Sequence, residues 1–251
     1  MIGPEQFIPK TSPEGLDLGP GEIHLWLVDL APDASVVRTL GTWLEDEEKH
    51  RAERFRFEVH RRRFIVRRGR LRQLLAAYQG LEPAAVRFEY GEKGKPALSE
   101  SQKDHRPLEF NLTDSEDLAL IAFTRDLEIG ADIEVLRPMP DAHSIAKSFF
   151  AAGEREALAD VSEPETARAF FHCWTRKEAY IKAIGEGLSE PLDRFEATLF
   201  PAEPCHFLHI GGSEAEAKRW ALIHLEPTPD SVGAVAYRGT TLRFTGCFGL
   251  S

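Results

Sequence analysis

Two short runs carry the residue types from which a phosphate-transfer centre is built. In GADIEVLRP, Asp132 and Glu134 stand two residues apart, and FFHCWTRKEAYIKAIGEGL carries Lys177, Glu178 and Lys182. On a strand, residues i and i+2 share a face, so the two acids point the same way with Cα atoms roughly 6.5 Å apart. Carboxylates on one face repel each other unless a cation sits between them, and an oxygen-only ligand set suits a hard ion such as Mg²⁺. Read as a helix ending at Gly185 or Gly187, the second run gathers Phe170, Phe171, Trp174, Ile181 and Ile184 on one apolar face. Glu178 falls inside that face, where a carboxylate is costly unless it is paired or holds a metal. Three acids on a divalent ion beside lysines suit phosphate transfer: the metal neutralises phosphate oxygens and the lysines stabilise the leaving group. Simple hydrolysis by paired carboxylates would leave the lysines without a role.

Each piece also has a plainer reading. D-x-E alone is a common exposed strand face, and Glu178 with Lys182 forms an i,i+4 pair worth roughly 0.2–0.5 kcal/mol on any surface helix. An acidic structural protein with solvated carboxylates is therefore the plain alternative, and metal titration separates the two.

The elements that must position these residues are legible from pattern. Residues 1–21, with Pro4, Pro9, Pro13 and Pro20, read as an irregular leader, and EIHLWLVDL (22–30) as a strand. Thr42 and Glu45 fit a capping box that opens a helix through EDEEKHRAERFRF. A second helix covers 60–79, with Phe64, Leu71, Leu74, Leu75 and Tyr78 as its buried set, and Arg72 beside that set is placed to hold an anion. Val86–Tyr90 is a short strand before the loop GEKGKPALS. FNLTDSEDLALIAFT predicts a turn at Thr113–Asp117 and a strand at 118–124, which pairs as a hairpin with Ile129–Val135. Helices at 143–151, 153–159 and 164–184 follow, then strands at 192–199, 220–225 and 231–237, with a Gly-Gly turn at 211–212. Strand, helices and strands occur once in each half, which predicts α+β halves at 22–125 and 126–251, the second carrying the acids.

A net charge of −10 argues against bulk attraction to nucleic acid or an anionic membrane. No apolar run reaches membrane-spanning length. The three cysteines, Cys173, Cys205 and Cys247, are far apart and fit no metal spacing, so reduced thiols in a cytoplasmic protein are expected. There is no P-loop, GxGxxG, GxSxG or His/Cys cluster.

The pair GADIEVLRP and WTRKEAYIKAIGEGL, about forty residues apart, resembles the G-x-D-x-E and W-x-x-K-E-A-x-x-K-x-x-G signatures of Sfp-type 4′-phosphopantetheinyl transferases. GKPAL, FNLTDS and Trp220 with a later Ala234-Val235-Ala236 strand look like the additional motifs of that family, over residues 22 to 240. The resemblance implies a monomer of two similar α+β halves related by a pseudo-two-fold, binding coenzyme A and Mg²⁺ between them. It implies transfer of the phosphopantetheine arm to a serine of an apo acyl or peptidyl carrier protein of fatty-acid, polyketide or nonribosomal-peptide synthesis, with release of 3′,5′-ADP. On the family's motifs, Asp132, Glu134 and Glu178 match metal ligands, with Glu178 also the candidate base. Lys182 matches the lysine at the pyrophosphate. Arg72, Lys95, Pro96, Thr113, Asp114 and Lys177 fall at positions around the nucleotide and phosphates. One departure stands out: Thr113-Asp114-Ser115 replaces the family's Ser-His-Ser, and an ionised Asp114 repels phosphate. Either Asp114 turns away, or Arg68, Arg72 or Lys95 covers the 3′-phosphate, or coenzyme A binds more weakly. That departure leaves room for a homologue that binds coenzyme A or a carrier protein without turnover. The arginine-rich helix, or Phe149 and Phe150, would meet the carrier.

Overall fold

The computed structural model describes residues 1–10, 12–13, 16–91, 94–102, 107–125, 127–185, 187, 190–199, 204–239 and 243–250. Glu92 and Lys93 of the GEKGKPALS loop, Asp126 and Leu188 lie outside the described residues. The first half of the chain contributes strands β1 (Ile8–Lys10), β2 (Glu22–Asp29), β3 (Phe88–Tyr90), β4 (Pro96–Leu98), β5 (Leu108–Ser115) and β6 (Leu118–Arg125). Its helices are α1 (Ala34–Thr42), α2 (Asp46–Glu53) and α3 (Glu58–Gln79). The second half contributes β7 (Ile129–Val135), β8 (Phe195–Ala197), β9 (Phe207–Ile210), β10 (Trp220–Thr228), β11 (Ser231–Arg238) and β12 (Arg243–Leu250). With them come α4 (Ala142–Phe149), α5 (Ala152–Ala159), α6 (Glu163–Ile184) and α7 (Glu214–Ala217).

The fold is α+β, organised in four layers. A five-stranded sheet in the order β1-β12-β2-β6-β5 meets a three-stranded sheet in the order β10-β11-β7. Between them lies an apolar core of Ile23, Leu25, Leu120 and Ala122 from one sheet and Ile129, Ala131, Ile133 and Val235 from the other. The outer face of the larger sheet, with Trp26, Ile121 and Phe123, packs on Leu71, Leu74, Leu75 and Tyr78 of α3. Because both faces are covered, β2 and β6 read as nearly continuous apolar runs rather than clean alternations.

The outer face of the smaller sheet carries α6, and Gly130 sets how near that helix comes. A Cβ at Gly130 would lie 2.0 Å from the Ala179 carbonyl oxygen and 2.3 Å from the Ala183 nitrogen. The first residue of G-x-D-x-E therefore lets the helix rest directly on the strand that carries the acids. α6 ends at Gly185, whose φ of 74° is the left-handed cap that glycine favours.

Several expectations change. β6 and β7 do not form a hairpin: β6 pairs with β2 and β5, while β7 pairs with β11. The expected turn at Thr113–Asp117 shrinks to Glu116-Asp117, and Thr113 and Asp114 sit on a strand opposite Leu120 and Ala119. A helix does not start at Thr42, which ends α1; Glu45 precedes α2, and its N–H donates to the Glu48 carboxylate (3.0 Å). Ile8–Lys10, within the stretch read as a leader, pairs in parallel with β12, which pairs in parallel with β2. The C-terminal strand thus completes the sheet of the first half.

Candidate active site

β5 and β7 lie side by side at the junction of the two sheets without joining as a ladder. Alternate polar side chains of β5 bridge the seam instead. Asn111 Oδ1 accepts from the Ala131 N–H (2.9 Å), Thr113 Oγ1 donates to Asp132 Oδ1 (2.9 Å), and Ser115 Oγ donates to Glu134 Oε2 (2.8 Å). From the other side α6 delivers Lys182, whose Nζ reaches Asp132 Oδ1 (2.5 Å) and Thr113 Oγ1 (3.1 Å). Asp132, Glu134, Glu178, Lys182 and Thr113 are therefore gathered where β5, β7 and α6 meet.

The electrostatics of this cluster are uneven. Asp132 is 4% exposed, and its Oδ2 is buried with no hydrogen-bond partner. Burial pushes its carboxyl up to about 6; Lys182 opposes the rise, while Glu178 and Glu134 add to it. Glu178 is raised for the same first reason, again against Lys182 and with help from Glu134. Each acid feels the others across the junction. An acceptor left as Oδ2 is costs free energy that a bound cation would recover.

Two candidates prove to be structural. Lys177 is wholly buried and points away from the acids: its Nζ bonds Glu154 Oε2, the Leu192 carbonyl and the Phe195 carbonyl, each at 2.7 Å. Arg72 is also wholly buried, with Nε on Glu48 Oε2 (2.8 Å) and NH1 on the Val86 carbonyl (2.8 Å). Neither is free to hold a nucleotide. Arg68 is likewise taken by Glu48 (2.6 Å) and the Tyr90 hydroxyl (2.8 Å). Asp114 turns to the opposite face of β5 from Thr113 and pairs with Arg67. Of the two phenylalanines, Phe149 is exposed and Phe150 is core.

Lys95 and Pro96 do border a space suited to a ligand. A cavity of 830 Å³ is lined by both, together with Arg51, Arg54, Arg67, Asn111 and the acids Glu45, Glu47 and Glu48. That volume lies within the range of about 300–1,000 Å³ usual for small-molecule sites. Asp132, Glu134 and Glu178 do not line it, but Lys95 Nζ on its wall donates to the carbonyl of Lys182 (3.0 Å), whose side chain reaches Asp132. Burial lowers the Lys95 pKa, against Glu109 and Glu128. Arg51 and Arg54 were missed in the sequence, although their i,i+3 spacing on one helix face was a readable signal. So was N-x-T-x-S on β5, whose period of two matches D-x-E.

Among the described residues, His172, His224 and Glu226 bring ligand atoms within 4.8 Å of one another, while Asp132, Glu134 and Glu178 form no such set. Surroundings argue against a metal at the histidines. Arg168 contacts Glu226 (3.4 Å), and Arg176 adds positive charge beside both rings, which a cation would have to face. No helix among the described residues is long and apolar enough to cross a membrane.

Comparison with known proteins agrees in both halves. Residues 128–236 match the family profile described as the 4′-phosphopantetheinyl transferase superfamily, and residues 30–125 match that of the 4′-phosphopantetheinyl transferase N-terminal region. The 4′-phosphopantetheinyl transferase HetI of Nostoc sp. is 40% identical over 233 residues, 93% of this chain and 94% of the relative. The enzyme psf-1 of Bacillus pumilus is 32% identical over 163 residues (65% and 67% of the two chains). Sfp of Bacillus subtilis is 30% identical over 158 residues (63% and 67%).

Proposed function

Because the chain belongs to the 4′-phosphopantetheinyl transferase superfamily, we propose that it moves the 4′-phosphopantetheine arm of coenzyme A to a serine hydroxyl of an apo acyl or peptidyl carrier protein, releasing 3′,5′-ADP. The observation that carries this reading is the Asp132 carboxylate, buried between β5, β7 and α6 with Lys182 on one oxygen and no partner on the other. Asp132, Glu134 and Glu178 fit a hard divalent ion such as Mg²⁺ in donor chemistry, since all their donors are oxygens and Asp132 Oδ2 is buried without a hydrogen-bond partner. Such an ion, when bound, supplies charge neutralisation at the phosphate oxygens.

The chain's own residues account for the rest. The cavity bordered by Lys95, Pro96, Arg51 and Arg54 takes the nucleotide end of coenzyme A, with these cations rather than Glu45, Glu47 and Glu48 on its wall answering the phosphates. The pyrophosphate then lies toward Lys95 and Lys182, where the acids begin. Lys182 brings positive charge to the oxygen that leaves. The attacking serine must lose its proton, and Glu178 is the acceptor, a carboxylate beside Lys182 whose pKa burial raises above the ordinary value. Strand alternation turns Asp114 from the seam, where it pairs with Arg67, so it stands apart from the acids and Lys182, which supports turnover over binding alone.

The likeness of the two halves supports a pseudo-two-fold. α3 and α6 each have 22 residues, each covers the outer face of a sheet, and each ends on a left-handed glycine, Gly80 and Gly185. The boundary we propose falls at residues 125 and 126, with a monomer as the working unit.

Intact-mass spectrometry of an apo carrier protein incubated with this protein, coenzyme A and Mg²⁺ tests the reading. A gain of one phosphopantetheine that EDTA abolishes is expected. No gain on several apo carriers would overturn it.

A further inference from the structure

The seam between β5 and β7 is held in a way that reaches the acids themselves. Its side-chain bonds keep a constant offset of 19 to 20 residues, so the two strands run in the same direction with Asn111, Thr113 and Ser115 facing Ala131, Asp132 and Glu134. A hydroxyl has one donor and two acceptor sites. Ser115 uses both kinds: it donates to Glu134 Oε2 (2.8 Å) and accepts from the Val135 N–H (3.1 Å). It is 8% exposed, and it ties the Glu134 carboxylate to the backbone of the next residue on the same strand. Arg137 also reaches Glu134 Oε2 (2.9 Å), but its side chain is 45% exposed and therefore a weak constraint.

We propose that Ser115 is a positioning residue for the acidic centre: it fixes the rotamer of Glu134 through Oε2 and leaves Oε1 as the oxygen presented to a divalent ion. This rests on the reading of Asp132, Glu134 and Glu178 as ligands of such an ion. Ser115 touches no substrate and transfers no proton. Its effect is that Glu134 is already oriented before ligand arrives, by a side chain from a strand of the opposite sheet. Asn111 is the natural control, because it stitches the same seam through the Ala131 N–H without touching an acid.

The test measures Mn²⁺ binding by electron paramagnetic resonance on the intact protein without coenzyme A or carrier, alongside chemical denaturation of each variant. Ser115→Ala is expected to weaken Mn²⁺ binding about tenfold, the lower end of what losing a partner of a metal ligand costs. Ser115→Thr keeps the hydroxyl and should restore it. Asn111→Ala should lower the denaturation midpoint and leave Mn²⁺ affinity unchanged. Should Ser115→Ala not fold, Ser115→Cys keeps the volume with a weaker donor and is read the same way. Wild-type affinity in Ser115→Ala, or equal weakening in Asn111→Ala, would overturn the proposal and leave the ligand reading standing. No Mn²⁺ binding by the wild type would overturn both.

Discussion

Helix α6 carries two lysine–carboxylate pairs that look alike in sequence and behave as opposites. Lys177 and Glu154 are 0% and 1% exposed in their side chains and 2.7 Å apart. Two carbonyls complete the lysine, while the Ala151 and Ala197 N–H groups complete the carboxylate (2.8 and 2.9 Å). Every strong group in that pair has partners on several sides. Lys182 and Asp132 are closer, at 2.5 Å, yet the lysine is 28% exposed and Asp132 keeps a buried oxygen with no hydrogen-bond partner. Closure separates a pair that holds the fold from one that is available for chemistry. Ionic distance alone would have ranked them the other way.

The comparison breaks most sharply at Lys177. Lys177→Met strands the Glu154 charge in the core, and removing one partner of a buried pair costs about 3–5 kcal/mol. Chemical denaturation should show that loss, while transfer activity per folded molecule stays near wild type. Asp132→Asn should do the reverse. Transfer falls by about 100- to 1,000-fold, the scale set by removing one preorganised electrostatic contact, and stability in EDTA does not fall at neutral pH. The sign follows from the raised carboxyl. Its ordinary value is 3.8 and its folded value about 6, so its contribution to stability is full below 3.8 and is lost as pH rises through about 6. Asparagine carries no such charge, so the variant should gain on wild type as the pH is raised across that window. A wild-type advantage that grows with pH would contradict the assignment.

How far the sequence reached follows the same division. What depends on local period was legible: Asp132 and Glu134 on one face of β7, the α6 stop at Gly185, and the buried set of α3. What depends on distant partners was not. Lys177 finds Glu154 on α5 and Arg72 finds Glu48 on α2, and nothing within either helix names those partners. The single apolar face assigned to α6 also misled, because Arg176, Lys177, Ala179 and Tyr180 are buried as well and Glu178 is less buried than its neighbour Lys177. A helix enclosed by β7, β11, α4 and α5 has no empty polar face against which one acid stands out. The hairpin failed for a related reason. β6 and β7 are adjacent in sequence and each has an apolar face turned to the same inter-sheet core, so local pattern could not tell one sheet from two. β12 and its parallel neighbours leave no short turn to announce their pairing.

Gly130 joins the two kinds of pair, because it sets how near the helix that carries both lysines comes to β7. Gly130→Ala would drive a methyl to 2.0 Å from the Ala179 carbonyl oxygen, and backbone cannot rotate away as a side chain can. The helix must shift, at about 1–3 kcal/mol. Unlike the two variants above, this one should lower stability and activity together, since Glu178 and Lys182 retreat from Asp132 as the packing loosens. Activity retained at wild-type level in a destabilised Gly130→Ala would mean that the reach of Lys182 tolerates the shift.

The smallest effect belongs to a third pair. Arg67 and Asp114, 26% and 30% exposed, are open enough to solvent that the pair is worth about 0.2–1 kcal/mol. Arg67 lines the cavity and Asp114 cancels its charge there. Asp114→Asn removes the cancellation without changing the shape of the side chain. Coenzyme A affinity, read by calorimetry at low salt, should rise about two- to fivefold, and the gain should fade at high salt as screening takes over. Stability should hardly move. Weaker binding instead would mean that Asp114 aims the guanidinium at the ligand, and then even an exposed pair would owe its function to what it holds in place rather than to the charge it carries.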